Sequence, residues 1–134
     1  MKSVCVIGSG ISGSTVANLL SKKYKVDVYE KAKGIGGRSS HRRYLNKLGF
    51  DHGLQYISPK TSKFKKFCSG LQKKRVLKKW QGPHKFDHSK VLENKKHTKL
   101  IGVKGNNAIS KYLLKNINCI FGYELFKIER IRKN

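Results

Sequence analysis

Apolar and polar positions follow three different rhythms along the chain. In Lys-Ser-Val-Cys-Val-Ile at 2–7, Val4, Val6 and Ile7 form a short β-branched run closed by a Gly-rich turn, which predicts a buried strand. From Ser12 to Lys23, Val16, Ala17, Leu19 and Leu20 recur at helical spacing and predict a helix. Val26, Val28 and Tyr29 then make a second β-branched run that ends at Glu30. Strand, helix and strand within about 30 residues read as a βαβ unit. The Lys-Ala-Lys-Gly-Ile-Gly-Gly-Arg stretch that follows is too rich in Gly for regular structure, and short runs from His41 to Ser58 suggest irregular or antiparallel strands. Further on, Phe64, Phe67 and Leu71 are spaced for a helix, and Trp80 is expected in a strand. The end returns to a helix carrying Ala108, Ile109, Tyr112 and Leu113, a short strand at Cys119–Phe121, and another strand carrying Leu125, Phe126, Ile128 and Ile131. There is no internal repeat.

A chain of 134 residues holds one domain or slightly more, which excludes a complete two-domain enzyme. Lys and Arg number 31 against 7 acidic residues, a net charge of +24 that points to an anionic partner. Of these cations 25 are Lys, so the excess lies in flexible point charges rather than in the planar forks that dominate base recognition. One alternative reading is therefore a nucleic-acid- or polyanion-binding protein using Lys60, Lys63, Lys65, Lys66, Lys73, Lys74, Arg75, Lys78 and Lys79. The run carries no RRM, KH, zinc-finger or helix-turn-helix signature, so a solvated lysine face is the preferred explanation and a nucleic-acid partner is not expected. With 37% hydrophobic residues under this much self-repulsion, stability should be marginal and salt-dependent. Cys5, Cys68 and Cys119 are widely spaced, with no CxxC pair and no metal-like cluster, and read as reduced thiols in a cytoplasm. Glycines and serines interrupt the first apolar stretch before it makes a signal peptide, and nothing approaches a membrane span. A soluble cytoplasmic protein without a metal site is expected.

The chemistry begins at Gly8-Ser9-Gly10-Ile11-Ser12-Gly13, a GxGxxG between a predicted strand and a predicted helix. Gly8 permits the tight turn, Gly10 lets a pyrophosphate approach the backbone, and Gly13 lets the helix pack near the strand. The helix start at Ile11 and Ser12 supplies N–H groups and positive dipole to phosphates. Glu30, with Lys31 beside it, stands 22 residues after Gly8, where a carboxylate accepts hydrogen bonds from a ribose diol and disfavours a 2′-phosphate. These elements specify a dinucleotide without separating NAD from FAD, so an NAD-dependent dehydrogenase is a further alternative.

Six residues beyond Glu30, Gly36-Gly37-Arg38 makes a resemblance specific. The chain resembles FAD-dependent oxidoreductases of the glutathione-reductase-like superfamily, in the amine-oxidase and renalase branch. Phe50-Asp51-His52-Gly53-Leu54-Gln55-Tyr56 is similar to that branch's FDxGAQY element, with Leu54 in place of a small Ala, and the stretch from Ile101 to Ala108 resembles its VGxPGMNAL. The resemblance implies an α/β, Rossmann-like FAD/NAD(P)-binding fold, truncated, with the start of an antiparallel substrate-domain segment. It divides the chain into a βαβ and GG-Arg part at 1–58, a basic inserted segment at 59–100, and a return to the FAD-binding domain at 101–134. FAD is the implied cofactor, with Arg38 near the pyrophosphate and Gly36 and Gly37 permitting close approach. Asp51 and Gly53 belong to the same implied cofactor site, and Leu125 lies on the adenine side. Gln55 and Tyr56, with His52, would face the flavin as the catalytic group. The implied reaction is hydride transfer from a reduced small molecule, for the renalase branch an isomer of reduced NAD(P), followed by reoxidation with dioxygen. Because the family's substrate half exceeds this length, a complementing C-terminal chain or self-association is expected.

Overall fold

The computed structural model describes residues 1–45, 48–81, 85–87, 90–91 and 98–130. The chain forms two compact units, one made of Met1–Gly37 with Ser110–Asn134 and the other of Arg38–Ile109. These divisions fall after Gly37 and Ile109, whereas the sequence reading set its boundaries after 58 and 100.

In the first unit, β1 (Ser3–Ile7), β2 (Lys25–Glu30) and β9 (Asn118–Phe121) build a parallel sheet in the order β1-β2-β9, and α1 (Ile11–Leu20) connects β1 to β2. Val4 pairs with Val26 and Val6 with Val28, and Val28 in turn with Cys119. Alternation along the strands puts these residues on one face. There Val6, Val26 and Val28 close with Ala17 and Leu114 into a buried core, with Val4, Leu20, Tyr24, Ile35, Ile117 and Cys119 packed around it. The expected buried strand at 2–7 is corrected: only Val6 is buried, and Ile7 is 51% exposed. β1 is an edge strand, and the core covers one of its faces. The predicted helix begins one residue earlier and ends at Leu20, where Ser21 donates to the Ala17 carbonyl and the chain turns into β2. The strand expected at Leu125–Ile131 does not form among the described residues, and Phe126 and Ile128 lie open to solvent. Its apolar positions find no neighbouring strand there to supply a ladder, and Ile131 lies outside the described residues.

Among the described residues the second unit carries three antiparallel pairs: β3 (His41–Tyr44) with β4 (Leu48–Asp51), β5 (Leu77–Lys79) with β8 (Leu100–Gly102), and β6 (Lys85–Asp87) with β7 (Lys90–Val91). α2 (Ser62–Lys73) starts at Thr61, whose hydroxyl accepts from Phe64 N, an N-cap that satisfies one open donor. Its inward residues are Cys68 and Leu71, while Phe64 and Phe67 are half-exposed and stack on each other at 6.2 Å. Cys68 and Leu71 are buried, as are Ile57, Leu77 and Leu100. Trp80 falls just outside β5, though its N–H continues the ladder to the Lys99 carbonyl. α3 (Ala108–Leu113) forms over the helical residues expected at the end of the chain.

Candidate functional site

The turn from β1 into α1 is built by three glycines with three different causes. Gly8 sits at φ +89°, a conformation only glycine adopts freely. At Gly13 an added Cβ would collide with the Gly8 carbonyl, so the helix can pack this close to the turn only without a side chain. Gly10 is different: its φ is −68°, and an added Cβ would meet nothing nearer than 3.9 Å. Neither backbone nor packing requires glycine there. It is the start of α1, a helix end with no side-chain cap and no acidic residue in its first turn. The N–H groups of Ile11 and Ser12 stand at this end. Gly36 donates to the Ser9 carbonyl at 3.2 Å and bridges to Gly10, and an added Cβ on Gly37 would stand 3.2 Å from Gly10 Cα. The Gly36-Gly37 element thus lies directly against the Gly8–Gly13 turn.

Glu30 closes the other side of the turn. Only 7% of it is exposed. Its Oε2 accepts from Ser9 N at 2.8 Å and from the Ser9 hydroxyl at 2.7 Å, and its Oε1 accepts from Ala32 N at 2.9 Å. Burial pushes the carboxyl up, but donors from Ala32, Ser9 and Lys31 outweigh it and hold Glu30 below the usual carboxylate range. The group is therefore an anion at neutral pH. Beside it a cleft of about 310 Å³ is lined by Ile7, Gly8, Tyr29, Glu30, Lys31, Tyr123, Glu124 and Leu125. Leu125 lines this cleft as irregular chain, not as a strand. Tyr123 N donates to the Glu30 carbonyl, and the Tyr123 ring meets Tyr29 edge-on at 6.2 Å. Lys31 pairs at 3.5 Å with Glu124, an exposed contact of little energetic weight. Ser9, Tyr29 and Tyr123 were not singled out from the sequence. Ser9 was legible as the residue between Gly8 and Gly10, whereas Tyr123 comes to the cleft only through the sheet.

The remaining candidates lie in the second unit. Leu54 N donates to the Arg38 carbonyl at 2.9 Å, and a Cβ on Gly53 would strike that same carbonyl, so Gly53 serves a close backbone approach to Arg38. Asp51 Oδ1 is shared by His41 Nδ1 and Asn106 N, both at 2.9 Å. His52 Nε2 lies 2.9 Å from the Ser40 hydroxyl. The Gln55 carbonyl accepts from Asn106 Nδ2 at 3.1 Å, and Tyr56 rests against Trp80 at 5.6 Å with Lys99 Nζ 4.5 Å above its ring. His41 and Asn106 organise this region and were missed. The sequence signal for His41 is a pair of glycines, Gly49 and Gly105, where an added Cβ would strike the imidazole. Among the described residues no group of His, Cys, Asp and Glu could hold a metal, and no helix is long and apolar enough to cross a membrane.

The fold has counterparts. Residues 6–71 match the family model described as an NAD(P)-binding Rossmann-like domain. The fold is Rossmann-like. Of 64 solved chains that match, one is the crystal structure of pqsL from Pseudomonas aeruginosa, titled a probable FAD-dependent monooxygenase. It shares 15% identity with this chain at a TM-score of 0.52 over 98% of the chain, and the chain spans 35% of that protein's length. No curated protein matches the chain.

Proposed function

We propose that this chain is the dinucleotide-binding portion of an FAD-dependent oxidoreductase. The observation that carries the reading is the uncapped start of α1 at Gly10, placed in one unit with the buried, ionised Glu30. An anion suits the first and a diol the second. The residues present fit the ADP half of FAD. Ile11 and Ser12 N–H groups, with the helix dipole, would hold the pyrophosphate, and Gly10 and Gly37 would let it approach. A ribose hydroxyl would replace the rotatable Ser9 hydroxyl on Glu30 Oε2, while Ser9 N and Ala32 N keep the carboxylate oriented. Tyr29, Tyr123 and Leu125 would form the apolar wall for adenine. In the second unit, Arg38, Asp51 and Gly53 are the proposed cofactor residues, and Gln55, Tyr56 and His52 the proposed flavin-facing group.

When bound, the flavin would supply acceptance of a hydride from a reduced small molecule and delivery of two electrons to dioxygen, with two protons, as hydrogen peroxide. In this reading Tyr56 and Gln55 orient the substrate, with Tyr56 itself braced by Trp80, and His52 Nε2 exchanges a proton with solvent through Ser40. Isomers of reduced NAD(P) are the proposed substrates. Substituting Tyr56 is expected to slow flavin reduction while FAD retention holds, measured by anaerobic stopped-flow absorbance.

A second reading, an NAD-type dinucleotide, is favoured by the description of the matching family. A competition experiment separates the two: flavin fluorescence quenching on titration with the chain, then displacement by NAD. Saturable quenching that NAD reverses only weakly supports FAD. Absence of quenching together with direct NAD binding assigns the second reading.

A further inference from the structure

The second unit contains a cleft of about 270 Å³ that the dinucleotide reading does not use. It is lined by Pro59, Lys65, Cys68, Gln72, Lys79, Thr98 and Leu100. Its polar residues come from three places in the chain. Lys65, Cys68 and Gln72 share one face of α2 at spacings of three and four, Lys79 ends β5, and Thr98 lies just before β8. The β5–β8 register pairs Lys79 with Leu100, which brings these two lining residues together. Cys68 and Leu100 are each 1% exposed and give the cleft an apolar floor.

Lys65, Lys79, Gln72 and Thr98 thus line one concavity, with no acidic residue among its described lining residues. Among the described residues neither Lys65 nor Lys79 has a carboxylate partner, and the one acidic side chain described in this unit, Asp51, is held by His41 and Asn106. Like charges gathered at one cleft repel, and a multiply charged anion relieves that repulsion. The Cys68 thiol is no competitor, because burial pushes it up and keeps it neutral. Selection among the lysines separates this cleft from a generally solvated basic face: Lys63, Lys66, Lys73 and Lys78 are on the same elements or beside them and do not line it.

We propose that the cleft between α2 and the β5–β8 pair is an oxyanion site for a phosphate or diphosphate group, held by Lys65 and Lys79 with Gln72 and Thr98 as neutral donors. Lysine serves such groups as a point charge, and the amide and hydroxyl add direction. The test is titration of the isotope-labelled chain with sodium pyrophosphate at fixed ionic strength, following the amides of Cys68, Gln72 and Leu100, with sodium chloride as control. Saturable shifts at these amides, absent with chloride, are expected. The pair Lys65→Gln with Lys79→Gln should weaken them about tenfold, while Lys63→Gln with Lys78→Gln, which removes the same charge off the cleft, should change them less than threefold. Gln72→Ala, which leaves the charge unaltered, should weaken binding and keep the thermal midpoint. Equal losses in the two lysine pairs, or shifts that grow without saturation, overturn the site. A parallel titration with ADP, read at the same amides, separates sources: tighter binding than pyrophosphate assigns a nucleotide-borne group, and weaker binding assigns the free anion.

Discussion

Gly10 and Gly13 carry the sharpest contrast at the scale of single residues. Gly13→Ala pushes a methyl group into the Gly8 carbonyl and should cost about 1–3 kcal/mol, as overpacking does. Gly10→Ala has room, so stability should change by about 1 kcal/mol or less. The same methyl would stand where a pyrophosphate has to come, so ligand binding should fall by more than about tenfold. Urea unfolding and ADP titration of the two variants check both statements. Glu30 makes a second prediction. Its carboxyl lies below its ordinary range in the folded chain, so its stabilisation is present above the unfolded-state value and is lost as pH falls through the folded one. The urea midpoint should therefore drop on acidification below about pH 4.5. Glu30→Gln should be less stable at neutral pH by about 1–3 kcal/mol and should lack that part of the acid limb.

Asn106 does at the scale of elements what no strand pairing does in the second unit. Its side chain is fully buried, donates to the Leu54 and Gln55 carbonyls and accepts from Gly102 N, while its backbone N–H reaches Asp51. Asn106→Ala would strip one buried and two part-buried backbone groups of this partner and should cost about 2 kcal/mol. Hydrogen exchange should then accelerate at Asp51–Tyr56 and Leu100–Asn106 ahead of β1 and β2. Local patterns made much of the architecture legible: the βαβ unit, the GxGxxG turn and α2 all rest on periodicities that neighbouring residues satisfy alone. The Leu125 segment did not follow its pattern, because apolar residues specify a strand only where a partner edge exists. The Asp51 cluster was not legible either, since its donors come from 10 and 55 residues away. Glu30 could be read from its spacing, but the lowering of its carboxyl depends on Ser9 and Ala32 donors that only the folded turn aligns.

The whole molecule carries +24 charges on a core that buries few large side chains. Self-repulsion of this size is screened by salt, so the thermal midpoint should rise between 0.05 and 0.5 M sodium chloride, by about 4 °C for each kcal/mol recovered. A midpoint that falls or stays fixed would show that the lysines are already neutralised within the fold. The central claim is that the turn at Gly8–Gly13 and the carboxylate of Glu30 form one site for the ADP half of a dinucleotide. Titration of the isotope-labelled chain with ADP tests it most directly, because ADP carries what FAD and NAD share. Saturable amide shifts at Gly8–Gly13, Glu30–Ala32 and Leu125, lost in Gly10→Ala, are the predicted result. Shifts scattered over the lysine-rich faces, with the Gly8–Gly13 amides unmoved, would contradict it.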